Sequence, residues 1–143
     1  MVRWTFSVLF GAFVAAAVLA PVLASENRAE AAVLYAAFRP FCHQQVERVW
    51  LLAGEPLAVC VRCLGVYWGM VAGGLAAPGL GSRRAMAGAA AVCLASWGLE
   101  AAGVTALPAG WRFITGLAVG LTVGRALASG LAETTPVRPE VVR

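Results

Sequence analysis

Residues 41–74 read FCHQQVERVWLLAGEPLAVCVRCLGVYWGMVAGG, and the rest of the chain is organised around this stretch. It begins polar and ends apolar. It holds Cys42, His43, Cys60 and Cys63, which are three of the chain's four cysteines and its one histidine. From Leu57 onward it turns into a long apolar run, so a Cys/His-bearing loop leads directly into a candidate spanning helix.

Outward from there the composition is that of a membrane protein. The 143 residues are 61% hydrophobic and 13% charged, against about 45–50% and about 25% in soluble domains. Runs of about 20 apolar residues mark spanning helices, and four are found, at about 4–24, 57–80, 84–104 and 111–131. The expected fold is an all-α integral membrane protein: one domain over 1–132 with four transmembrane helices, the Cys/His loop between the first and second, and a disordered tail at 133–143. Lipid is the expected partner. The net charge of +4, with no basic cluster beyond Arg83-Arg84, argues against nucleic-acid binding.

The first run has a signal peptide as its rival reading, because Val22-Leu23-Ala24 resembles a small-residue cleavage site. It is longer than the usual h-region of about 7–15 residues, which favours a retained helix. In the connection that follows, Ser25 is expected to cap a short helix over Glu26–Phe38 that Pro40 stops. Cys42–Leu52 is expected to add another helical piece and Gly54-Glu55-Pro56 a turn. Trp4, Trp50, Trp68, Trp97 and Trp111 fall mostly near span ends, where amphipathic rings anchor. Arg3, Arg83, Arg84, Arg138 and Arg143 fall on one side of the four-span arrangement, and Arg28, Arg39, Arg48 and Arg112 on the other. Positive-inside counting then places both termini in the cytoplasm and the Cys/His loop outside.

Gly65, Gly69 and Gly73 repeat every four residues in the second span, as do Gly116, Gly120 and Gly124 in the fourth. Small residues at that spacing let backbones approach closely in lipid. The two spans would run in the same direction, and the glycine-rich faces also offer a route to a homo-oligomer. At about 100° per residue, Cys60, Cys63 and Tyr67 share a helix face nearly opposite these glycines. That leaves the cysteine face free to meet the loop carrying Cys42 and His43.

Three readings of the cluster stand side by side. Cys42, His43, Cys60 and Cys63 offer three thiolates and an imidazole, a donor set suited to tetrahedral zinc, in a binding or transport-related module. Adjacent Cys42 and His43 reach one ion only with a bent backbone. Alternatively, Cys60 and Cys63 form a thiol–disulfide exchange pair with Cys42 as the third thiol, coupled to a membrane quinone. In the third reading a single structural disulfide pins the loop. Cys93, alone in the third span, reads as a small apolar residue.

A second constellation is the intramembrane layer of Arg62, Glu100 and Arg112, which fall at similar depth. Ionisable groups in a span pair with one another or line a pathway, and a bridge from Glu100 to either arginine is the simpler expectation. Glu47 and Arg48 follow the Cys-His pair and could orient His43. Arg125 is expected to snorkel to the cytoplasmic surface.

Cys42-His43-Gln44, Glu47-Arg48 and Cys60-Val61-Arg62-Cys63-Leu64-Gly65-Val66-Tyr67-Trp68-Gly69, followed by Arg112-Phe113-Ile114-Thr115-Gly116, resemble a family of small prokaryotic membrane proteins catalogued as domain of unknown function 2085. The likeness runs from about Cys42 to Gly124. It implies a multi-span fold in a prokaryotic inner membrane and points to these residues as the ones that matter, while implying no particular activity. Family members often carry an acidic residue followed by glycine before the last span, whereas Ala101 follows Glu100 here.

Overall fold

Apolar runs rich in Ala, Val and Leu become helices because every backbone group can then bond within its own segment. A computed structural model describes residues 2–76 and 81–133. Its helices are α1 (Val2–Ser25), α2 (Ala29–Phe38), α3 (Val61–Leu75), α4 (Arg83–Ala101) and α5 (Ala109–Glu133). Two of them are long and apolar enough to cross a membrane, over Trp4–Ser25 and Ala109–Leu131, while Val61–Leu75 is a shorter apolar helix. The second expected span is therefore cut at its start: residues 57–60 are not helical, and the helix begins only at Val61. The Pro78-Gly79 connection and the expected tail beyond Glu133 lie outside the described residues.

The polar connection departs most from expectation. Ser25 ends α1 instead of capping the next helix, its hydroxyl donating to Val22 O at 2.8 Å. Asn27 then turns the chain with φ +56, a left-handed conformation that asparagine tolerates, and α2 starts after Arg28 without a side-chain cap. The expected helix over Cys42–Leu52 is reduced to one 3-10 turn, Val46–Arg48. After it comes a two-stranded hairpin, β1 (Leu51–Leu52) and β2 (Glu55–Pro56), paired antiparallel with Leu52 opposite Glu55. Its two turn residues, Ala53 and Gly54, have φ of +54 and +84, the geometry of a tight two-residue hairpin.

The helices pack with α3 at the centre. α1 runs antiparallel to it: Ser7 Oγ donates to Val71 O at 3.0 Å near one end, and Ala58 N–H points at Ala17 O near the other. α5 runs parallel to α3, and the two backbones touch through glycine. A Cβ on Gly69 would lie 2.7 Å from Leu121 N and 2.8 Å from Gly120 Cα, and one on Gly124 would lie 2.8 Å from Met70 Cα. Gly65, Gly73, Gly116 and Gly120 likewise meet only backbone of the other helix, at Phe113, Leu121, Arg62 and Val66 respectively. α4 packs mainly on α5 and leaves Val92, Leu94, Trp97 and Leu99 exposed. The buried core joins Val14, Ala17 and Ala20 of α1 to Phe38, Cys42, Leu57, Ala58, Val59 and Leu64. The connection is thus fastened to the mouth of α3.

Because the atoms opposite these glycines are backbone and cannot turn aside, Gly69→Ala or Gly120→Ala should cost about 3 kcal/mol, the upper range for overpacking. Gly88, which has open space around its Cα, should instead gain about 0.5–1 kcal/mol as alanine from helix propensity. Unfolding midpoints of the three variants in one detergent check this. Equal midpoints for Gly69→Ala and Gly88→Ala would contradict the close contact.

Candidate functional site

The site forms where the connection returns to the first turn of α3. Phe38 O accepts the N–H groups of both Phe41 and Cys42 at 3.0 Å, which bends the chain past Pro40. Gln44, at φ +49, sends its amide across the gap, donating to Tyr35 O at 2.8 Å and Ala58 O at 2.9 Å. The Tyr35 hydroxyl donates to Pro56 O. These three bonds tie α2, the loop and the segment before α3 into one piece, and Cys42 is carried inward to 6% exposure.

There it meets α3. Cys60 is the helix's N-cap residue, and its sulfur accepts the Cys63 N–H at 3.5 Å. Cys60 N–H in turn donates to the Cys42 sulfur at 3.1 Å. The sulfurs of Cys42, Cys60 and Cys63 all lie within 4.8 Å of one another, and all four cysteines of the chain are free thiols. Hydrogen bonds from the Cys60 thiol, then from the Cys63 thiol, hold the Cys42 thiol well below the usual range. The amide-rich start of α3 favours the same negative charge. On the far side of the trio Tyr67 stacks edge-on against Phe13, with ring centroids 4.9 Å apart.

His43 does not join the sulfurs. It is exposed and falls outside the group whose ligand atoms gather. It does line the same cavity, of about 420 Å³, as Cys42, Cys60 and Cys63. Glu47 is exposed, and among the described residues no hydrogen bond links it or Arg48 to His43. Arg48 lies on the cavity wall instead.

The arginine–glutamate layer lies just behind this wall. Glu100 accepts from both guanidinium groups, Arg62 Nη2 at 2.9 Å on one oxygen and Arg112 Nε at 2.6 Å on the other. Its side chain is only 3% exposed. Arg62 Nη2 also donates to Ser96 Oγ at 3.3 Å, and Thr115 Oγ1 donates to Arg112 O at 3.1 Å. Glu100 occupies the last turn of α4, where the helix dipole opposes a carboxylate, so the two arginines are what make its position tenable. Arg125 departs from the expected snorkelling: it is 8% exposed, and its Nη1 is buried without an acceptor among the described residues.

The fold and site are those of a small helical protein with a thiol-lined cavity against a buried ionic layer. The chain belongs to the family described as "Predicted membrane protein", domain of unknown function 2085, whose match covers residues 42–125. That match opens on Cys42 and takes in the thiols and the whole ionic layer. The chain is also similar to the uncharacterized protein MJ1492 of Methanocaldococcus jannaschii, 42% identical over 40 residues, which is 28% of this chain and 26% of that relative. The chain therefore spans about a quarter of that protein's length. No solved structure matches.

Gln44 is the site residue whose role the sequence reading passed over. Cys42 signals its chemistry by residue type, whereas Gln44 acts through two carbonyls 9 and 14 residues away, and no local pattern announces such bonds. Glu100→Gln should test the ionic layer. It preserves shape but leaves two buried guanidinium groups without a counter-charge, and a stability loss of about 3–5 kcal/mol is expected. A thermal midpoint in detergent unchanged from that of the unsubstituted protein would contradict the buried pairing.

Proposed function

We propose that this chain is a four-span protein of the prokaryotic inner membrane that binds a zinc-like ion through Cys42, Cys60 and Cys63 at its outward face. The observation that carries the reading is the gathering of three sulfurs, from two separate segments, within 4.8 Å. Tetrahedral zinc with bonds of about 2.3 Å requires sulfurs about 3.8 Å apart, a spacing reached from this arrangement by small side-chain rotations. Three protein ligands leave a fourth position open, as in zinc sites that handle a water or a substrate. It would face the cavity, where His43 is available as an outer partner. Such a module would bind, sense or pass on the ion.

Placement in a membrane is supported by the exposed apolar side chains spread over the helices, Trp4, Trp68, Trp97 and Trp111 among them, which water would penalise. The glycine ladders of α3 and α5 act as the small-residue contact that lipid-embedded helices use, with α3 and α4 as the further spans. Arg83 and Arg84 begin α4 at the end opposite the thiols, consistent with cytoplasmic termini under the positive-inside rule. The packing of α1 on α3 favours a retained first helix over a cleaved leader.

A second reading is favoured by the depressed Cys42 thiol. A thiolate beside two further thiols suits thiol–disulfide exchange, with a quinone as the membrane electron acceptor. One experiment separates the two: elemental analysis of purified protein together with thiol titration under non-reducing conditions. The metal reading predicts about one zinc per chain, four titratable thiols after chelation, and loss of zinc in Cys63→Ser. Absence of metal, with two thiols missing until a reductant is added, would select the exchange reading instead.

A further inference from the structure

The cavity beside the thiols carries more positive charge than the thiols need. Arg48, Arg62 and Arg112 all line it, and they come from three separate elements: the 3-10 turn, the first turn of α3 and the first turn of α5. No carboxylate is among its described lining residues. Glu100, behind the wall, engages only Arg62 Nη2 and Arg112 Nε. Three guanidinium groups against one carboxylate leave two positive charges, and three thiolates around a divalent ion would offset one of them.

Arg62 supplies a second, independent sign. Its Nε is buried and has no hydrogen-bond acceptor, although a buried charged donor without a partner is costly. Glu100 meanwhile fixes both guanidinium planes, so their remaining N–H groups are pre-organised instead of being free to rotate away. Arg48 has no ion-pair partner among the described residues and adds a third fork from the loop side.

We propose that this cavity binds a phosphate group, free or carried on a lipid headgroup, held between Arg48, Arg62 and Arg112. Guanidinium groups match phosphate oxygens in bidentate fashion. Three of them approaching from different elements suit a tetrahedral anion better than a planar carboxylate, and the surplus positive charge suits a phosphate. The cavity, at about 420 Å³, is larger than the anion alone requires. Phe41 and Trp97, 59% and 53% exposed, give its walls an apolar edge on which the carbon skeleton of a headgroup can lie. The site does not depend on metal: the arginines and the orphaned donor are the same with the thiols empty.

Calorimetric titration of metal-free, reduced protein in neutral detergent tests this, with inorganic phosphate as one ligand and short-chain phosphatidylglycerol as the other. Saturable binding of either is expected. It should weaken at least tenfold in Arg48→Gln, a change at a loop residue outside the ionic layer, and stay unchanged in Arg39→Gln, whose exposed side chain lies off the cavity wall. Binding of inorganic phosphate identifies a free-anion site, and binding of the lipid alone identifies a headgroup site. No saturable binding of either ligand, or equal affinity in Arg48→Gln and the unsubstituted protein, would overturn the proposal. Because the protein is metal-free throughout, either result leaves the zinc stoichiometry to stand or fall by itself.

Discussion

The contact on which the rest of this structure depends is the one between the bare backbones of α3 and α5. In lipid, water does not push helices together, so close van der Waals approach must do so. Six glycines, three on each helix, remove the side chains that would hold the axes apart. The parallel arrangement has a consequence at one end of the molecule. The first turns of α3 and α5 lie side by side, so Arg62 and Arg112 come within reach of a single carboxylate, Glu100, presented by the last turn of α4.

The same first turn of α3 is also where the polar connection returns. Its geometry is over-determined: a turn at Phe38 O, the crossing amide of Gln44 and the hydroxyl of Tyr35 all fix where Cys42 goes. The sulfur of Cys42 then takes the place of a backbone acceptor for Cys60 N–H, a group the helix itself leaves unsatisfied. Thiols and ionic layer are consequently two sides of one cavity wall, with the sulfurs toward α1 and the guanidinium groups toward α4 and α5. Negative charge on the first faces a larger positive charge on the second.

Much of this was legible from residue spacing alone. The apolar runs locate α1, α4 and α5 to within a few residues of their ends, and the four-residue glycine period foretells which helices touch and in which direction. The 100° rule puts Cys60 and Cys63 on a common face, and the scarcity of charge in the apolar runs singles out Arg62, Glu100 and Arg112. What spacing could not convey lies in the connection. A 3-10 turn and a two-residue hairpin replace the expected helical piece because hydrogen bonds from Gln44 and Tyr35, reaching across 9 to 21 residues, outweigh local propensity. His43 stays exposed and outside the sulfur group although it lines the same cavity, which adjacency to Cys42 does not reveal. Arg125 stays inside where its backbone lies against Gly73 and Gly81, a contact that composition does not reveal.

The central claim is that thiols from two separate segments make one three-sulfur centre at the mouth of α3. X-ray absorption at the metal edge of zinc-loaded protein measures it most directly. Three sulfur scatterers at about 2.3 Å with one lighter oxygen or nitrogen neighbour at about 2.0–2.1 Å is the predicted shell. A shell with two sulfurs or fewer, or one made only of light atoms, would contradict it.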